Sequence, residues 1–328
     1  MRRSPPGSRV GHGACKIGSV PRRTLLILNP RSRNGATGRR ADQLLRRLRD
    51  GLGPLEVERT RGPRDAERIA REAVRAGWER LIVAGGDGTL SEVATGLLAA
   101  GLGGYATIGA LPLGTGGDFL RTLGVPRDLD HAIACLREGK PRPIDAGRAS
   151  FVDASGRPAC AHFVNVASLG VSGRVVELVK RSPALLGGRA SFLLGSVRAI
   201  ASHRSEAVSL RVDGELVHDG PLVLAAAANG RYFGAGMHIA PGARTDDGLF
   251  DVVAVCGLGR AQLLRRLPML YRGTHLADPA VRAWRGRVVE ALPQGAPVPL
   301  ELDGEPLGRL PARFEMLPAA LMLIGPAA

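Results

Sequence analysis

The stretch that most constrains this chain is Leu81-Ile82-Val83-Ala84-Gly85-Gly86-Asp87-Gly88-Thr89-Leu90. It reads as a buried strand, then a turn of glycines carrying one carboxylate and one hydroxyl. A helix is expected next, from about Ser91 to Leu98. Glycines let backbone N–H groups approach a ligand with no Cβ in the way, and a helix N-terminus adds partial positive charge at the same spot. Those are the parts of a phosphate cradle. An ordinary strand-to-helix turn is the plainer alternative. Asp87 tells against it, because a carboxylate facing phosphate calls for a metal ion or a sugar hydroxyl beside it.

The flanking sequence supplies a sheet for that turn. Thr24-Leu25-Leu26-Ile27-Leu28 is an apolar run of parallel-strand character that ends at Asn29-Pro30. A helix is expected over about 39–49 and a strand over 55–60, ending at Thr60. A second helix follows over about 64–76, stopped by Gly77. Thr107 to Leu111 forms a further strand and leads into Gly114-Thr115-Gly116-Gly117-Asp118, a second glycine-rich loop. Alternating strands and helices predict a Rossmann-like, doubly wound parallel sheet, with ligands outside the carboxyl ends of its strands.

Past about residue 141 the texture changes. Runs over 161–167, 207–212, 222–228, 250–256, 287–292 and 298–302, punctuated by Asp213-Gly214, Asn229-Gly230 and Asp303-Gly304, predict a β-rich antiparallel sandwich. Helices are expected over 174–180, 190–201 and 261–271. The domain division is therefore a disordered basic tail over 1–23, an α/β nucleotide-binding domain over 24–145 and a β-rich domain over 146–328.

Composition excludes some partners and suits others. The net charge is +15, with 42 of 45 basic residues being arginine, which fits an anionic ligand or surface. The arginines are interspersed with acids, and the 4% aromatic share leaves no stacking platform, so nucleic acid is not expected. Cys15, Cys135, Cys160 and Cys256 are far apart, which points to a reducing cytosol rather than a disulfide or zinc framework. With no apolar run near the length of a membrane span, membrane contact is expected to be peripheral.

Gly85-Gly86-Asp87-Gly88-Thr89, with Asn29-Pro30 upstream and Leu113-Gly114-Thr115-Gly116 downstream, resembles the diacylglycerol kinase, sphingosine kinase and NAD kinase superfamily. Asn229-Gly230-Arg231-Tyr232-Phe233-Gly234, Asp247-Gly248-Leu249-Phe250 and Leu302-Asp303-Gly304-Glu305 narrow the resemblance to bacterial diacylglycerol kinase-like lipid kinases. It implies ATP in the cleft between the domains, lined by Asn29, Pro30, Thr60, Gly85, Gly86, Asp87, Gly88, Thr89, Glu92, Gly114, Thr115 and Asp118. It also implies magnesium at the Asp247 turn, with the carbonyls of Arg244 and Leu249. The proton acceptor falls on Glu305 by analogy with the bacterial lipid kinases and on Asp87 by analogy with sphingosine kinases. One position departs from the pattern: Gly117 stands where bacterial relatives commonly carry Asn.

Phosphoryl transfer asks for positioned phosphates, a stabilising cation and a base near the attacking hydroxyl. The loop amides, Thr89 and Thr115 could supply the first, and magnesium could use Asp87 with ATP oxygens. The expected acceptor is diacylglycerol or a related lipid. Alternatives are a sphingoid or ceramide-type lipid, a soluble NAD-like substrate, or a nucleotide-binding regulator with no transfer activity. An apolar route is expected along Leu185, Leu186, Phe192, Leu193, Leu194 and Val197, or along Leu263, Leu264, Leu267 and Leu270. The second set, with Arg260, Arg265 and Arg266, also suits an anionic bilayer. A homodimer is left open.

Overall fold

Alternate side chains of strands β1 (Thr24–Leu28) and β3 (Arg80–Gly85) enter two different cores in the computed structural model, which describes residues 23–181, 188–202 and 205–326. Leu25, Ile27, Leu81 and Val83 pack beneath helices α3 (Asp65–Arg75) and α4 (Asp87–Ala99). Leu26, Leu28, Ile82 and Ala84 pack beneath α2 (Ala41–Leu52) and α6 (Leu129–Glu138). A strand apolar at every position can satisfy both faces only when helices cover both. With β2 (Glu56–Arg59) and β4 (Thr107–Pro112), these strands form a parallel sheet in the order β4–β3–β1–β2. The expected doubly wound domain is present. α1 (Ala36–Arg39) and α5 (Asp118–Thr122) are short turns of helix after strand ends.

The β-rich half is an antiparallel assembly of β5 (Pro141–Asp153), β6 (Pro158–Phe163), β7 (Val166–Gly170), β8 (Glu206–Val212), β9 (Glu215–Ala228), β10 (Phe250–Cys256), β11 (Val281–Gly286), β12 (Val288–Pro293), β13 (Pro299–Leu302) and β14 (Glu305–Ile324). Its core holds Phe163 stacked on Phe250 at 5.6 Å and edge-on to Phe314 at 6.2 Å. The opposite face of β7, β9 and β10 lies under α7 (Val171–Arg181), α8 (Gly188–Ser202) and α9 (Arg260–Arg272).

Several elements depart from the sequence reading. The single strand expected over 161–167 is two strands, broken at Val164-Asn165. β5, β11 and β14 were not expected. β5 and β14 contain Pro143, Pro306, Pro311 and Pro318, which read as breakers. The register of β14 against β5 shifts between Arg309 and Arg313 and between Leu317 and Leu321, spans that contain Pro311 and Pro318. β14 starts in the sandwich and ends beside β4, with Met322 and Leu323 paired to Thr107 and Ile108 in parallel. The last strand of the chain thus closes the edge of the first sheet. Residues 1–22 of the basic tail and the Leu185-Leu186 part of the expected lipid route lie outside the described residues.

Candidate active site

Helix α4 begins at Asp87 rather than Ser91, so the glycine turn is shorter and its carboxylate sits in the first helical turn. Gly86 is the N-cap and offers no side chain, which leaves the first amides of α4 for an outside acceptor. The second loop lies directly against the first: a Cβ placed on Gly114 would stand 2.5 Å from the Gly86 Cα. Only glycine permits two backbones that close. Asp87 fastens the pair, accepting the Asp118 N–H on Oδ2 at 2.7 Å, while its Oδ1 is buried without a partner. Burial, and secondarily the Asp118 charge, pushes the Asp87 carboxyl up to about 6.

Asn29, at the end of β1, ties its strand to the same turn. Its amide donates to the Thr89 hydroxyl at 2.9 Å, and its Oδ1 accepts the Arg31 N–H at 3.0 Å. Asp118 joins the halves of the molecule, accepting the Ala235 N–H at 2.8 Å. Gly117 adopts φ 74°, a left-handed conformation that Gly and Asn tolerate best.

These groups wall one end of a cleft of about 580 Å³. Asn29, Gly86, Asp87, Gly88, Thr89, Glu92, Gly114, Thr115 and Asp118 line it, with Arg31 and Arg33 at the rim. Arg33 was missed in the sequence; it reaches the Pro112 carbonyl at 3.3 Å and so binds the β1 loop to the second glycine loop. Pro30, Thr60 and Gly85 do not reach the wall. At these strand ends the Pro30 carbonyl accepts the Gly38 N–H, the Thr60 N–H is given to the Leu28 carbonyl and the Gly85 carbonyl accepts the Leu113 N–H. Glycine amides at a helix start, a close backbone pair and two arginines fit a nucleotide's phosphates.

The other end of the same cleft is apolar. Val171, Val175 and Val176 of α7, Ile200 of α8, Leu263, Leu267 and Leu270 of α9, and Val223 and Leu224 of β9 surround it. Leu193, Leu194 and Val197 face outward instead, at 46%, 37% and 37% exposure, because helix α8 presents Ala199 and Ile200 to the core.

Between the two ends stand the carboxylates of the turn joining β13 to β14. Glu305 is exposed and lines the cleft. Asp303 accepts the Ser91 hydroxyl at 2.8 Å and the N–H groups of Val164, Asn165 and Val166 at 2.9, 2.9 and 3.1 Å. It pins α4 and the β6–β7 break to the turn. Burial pushes Glu92 up, and the charge of Glu305 adds to the effect. Glu301, buried at 2% exposure, was also missed, since a polar residue between Leu300 and Leu302 reads as the wet side of a strand.

The Asp247 turn lies away from the cleft. Its Oδ1 accepts the Leu249 N–H at 3.1 Å, and its Oδ2 contacts the Arg285 guanidinium. Arg244 pairs with Asp246. Among the described residues no three carboxylate, His or Cys groups gather to hold a metal ion. Asp247 and Asp251 both face the Arg285 guanidinium, so a magnesium ion at this turn would compete with that arginine for the Asp247 carboxylate.

Comparison with known proteins gives two adjoining family matches. The diacylglycerol kinase catalytic domain matches residues 23–149. The YegS C-terminal NAD kinase beta sandwich-like domain matches residues 165–325. A probable lipid kinase YegS-like from Chromohalobacter salexigens is 33% identical over 311 residues, covering 92% of this chain and 93% of the relative. A diacylglycerol kinase from Bacillus subtilis is 30% identical over 299 residues, covering 89% and 93%. Among solved structures, a diacylglycerol kinase from Bacillus anthracis superposes with TM-score 0.69 at 21% identity, covering 93% of this chain and 97% of the other. Yeast NADH kinase gives 0.51 at 12% identity, covering 94% and 85%. The structural likenesses carry the fold.

Proposed function

We propose, on the premise that this chain belongs to the YegS-like, diacylglycerol kinase-type family of lipid kinases, that it transfers the γ-phosphate of ATP to the hydroxyl of diacylglycerol or a lipid of similar shape. One observation carries the reading: a single cleft has a glycine-and-arginine cradle at one end and a chamber of aliphatic side chains at the other. A triphosphate suits the first and an acyl chain the second.

In this reading the amides of Gly86 to Thr89 and of Gly114 to Gly116 hold the phosphates, with Arg31 and Arg33 meeting their charge. The lipid hydroxyl attacks the γ-phosphorus. A new O–P bond forms as the bond to the bridging oxygen breaks, ADP leaves with the electron pair, and the hydroxyl proton passes to the Glu305 carboxylate. Glu305 suits the part because it lines the cleft, exposed, on a turn fixed by Asp303, whereas Asp87 is the more buried and gives its Oδ2 to joining the two glycine loops. Magnesium would enter with the nucleotide; no donor set of this chain is assigned to it.

Peripheral membrane contact belongs to the same reading. Among the described residues no helix is long and apolar enough to cross a membrane. Leu193, Leu264 and Leu276 are exposed on or beside the helices that wall the chamber, with Arg260 and Arg265 on the same helix as Leu264. Flotation with anionic vesicles is expected for the wild type and loss of it for Leu193→Glu with Leu264→Glu.

The deciding test supplies labelled ATP with magnesium and offers diacylglycerol, sphingosine, ceramide, a prenol and NAD in turn. Label in phosphatidic acid is expected. Label in NAD alone, or in nothing, would overturn the proposal.

A further inference from the structure

Leu300 and Leu302 of β13 enter the sandwich core, so Glu301 between them points the other way, toward β7 and α7. There it forms part of the cleft wall and makes two hydrogen bonds. Oε2 accepts the Gly304 N–H at 2.7 Å, and Oε1 meets the Ser168 hydroxyl. The hydrogens along this chain of groups can be assigned by counting. The Leu169 carbonyl can only accept, so the Ser172 hydroxyl, 3.3 Å away, donates to it. The Ser168 hydroxyl, 2.8 Å from Ser172, then donates to Ser172. Two hydroxyl protons serve three contacts, so all three are made at once only when Glu301 carries the third proton. With a neutral acid every contact is satisfied; with a carboxylate one buried contact sets two acceptors face to face.

The charges around Glu301 favour the same state. β7 and α7 present it the hydroxyls of Ser168 and Ser172, and the charged groups that act on it are the carboxylates of Asp303 and Glu305. Burial foremost, with those two carboxylates adding to it, pushes Glu301 up to about 7 against its hydrogen bonds.

The geometry points to Glu301 as a positioning residue that works as an uncharged acid, giving its proton to Ser168 and holding the Gly304 N–H, and so fixing the turn from which Glu305 reaches the cleft. This assignment rests on Glu305 being the base. As pH rises through about 7, Glu301 ionises, one of the three contacts among Glu301, Ser168, Ser172 and Leu169 is left without a proton, and a third carboxylate charge joins the turn. Turnover falls, while ATP, held at the glycine loops, binds as before.

The test uses the full chain and three proteins: wild type, Glu301→Gln and Glu301→Ala. Glutamine can donate to Ser168 and accept from Gly304 at every pH. Its kcat is expected within about threefold of wild type near pH 6, without the fall above about pH 7. Alanine removes both contacts, and about a tenfold or greater loss of kcat is expected at every pH, with the KM for ATP within about twofold. Infrared difference spectra between acid and alkaline samples are expected to show a protonated carboxyl C=O band in the wild type that is missing from Glu301→Gln. No such band, or a glutamine variant as impaired as alanine with the wild-type pH profile, would overturn the inference. The infrared readout needs no acceptor, so a wild type that phosphorylates no lipid would fault the proposed function and leave the protonation state of Glu301 decided by the band.

Discussion

The Oδ2 of Asp87 accepts the backbone N–H of Asp118 at 2.7 Å, across two loops that lie 31 residues apart in the chain. The second of those residues in turn accepts the Ala235 N–H, so one short path joins the first glycine loop, the second and the β-rich half. The nucleotide end of the cleft is therefore held by carboxylates bound to main-chain amides, and its properties should respond to substitutions that disturb backbone spacing.

Gly114→Ala is the most direct of these. Its Cβ would lie 2.5 Å from the Gly86 Cα, a contact that no rotamer can relieve. The two loops must part, and ATP affinity measured calorimetrically is expected to fall at least about tenfold, or about 1.4 kcal/mol.

Gly117→Asn should act in the other direction. The residue sits at φ 74°, which Asn tolerates, and nothing stands within 4 Å of a Cβ there. The added amide reaches the space beside Gly114 to Asp118, where a ribose or phosphate oxygen would offer it a partner. Nucleotide affinity is expected to rise by a few-fold, since one neutral hydrogen bond is worth about 1 kcal/mol. Unchanged binding would show that the departure from the family pattern is of no consequence here, and weaker binding that the added amide finds no nucleotide oxygen.

Glu305→Gln separates chemistry from binding. With the base removed, kcat should drop by about 10²–10⁴ while the affinity for ATP holds. A glutamine variant with full turnover would return the proton to Asp87.

Asp303→Ala tests the pin. Its loss strips acceptors from the N–H groups of Val164, Asn165 and Val166. Unsatisfied buried donors cost about 1–3 kcal/mol each, so urea unfolding is expected to show a loss of about 3 kcal/mol or more. Asparagine should rescue only part of it, because one of its two ends donates.

Asp87 also sets a pH dependence. Its carboxyl titrates at about 6 in the folded chain against an ordinary 3.8. The native state therefore binds more protons than the unfolded state between those values. Its contribution to stability is complete below about pH 3.8 and is lost as pH rises through about 6, a swing of up to about 3 kcal/mol. Asp87→Asn carries no such charge and can still accept the Asp118 N–H. It is expected to unfold at a higher temperature than wild type near pH 8 and at a similar one near pH 4. Its affinity for ATP should fall, the usual exchange between stability and function at a buried charge in a binding site.

The sequence by itself determined the architecture of the first half. Strands apolar at every position, such as Leu25 to Leu28 and Leu81 to Ala84, have one stable use, between two layers of helices, and glycines after them leave room for an anion. It also carried the family, because short motifs such as Gly85-Gly86-Asp87-Gly88-Thr89 survive in linear order. Only the tertiary structure decided what meets what. Asp87 and Thr89 read as ligand contacts and both line the cleft, but that one also clamps a neighbouring loop and the other also meets Asn29 is set by contacts 31 and 60 residues away. Glu301 read as the wet side of a strand and is instead buried, since the identity of the element packed over β13 is set by pairings with β7 more than 130 residues away. Periodicity states which face a side chain takes; what covers that face is a long-range contact, and local sequence holds no record of it.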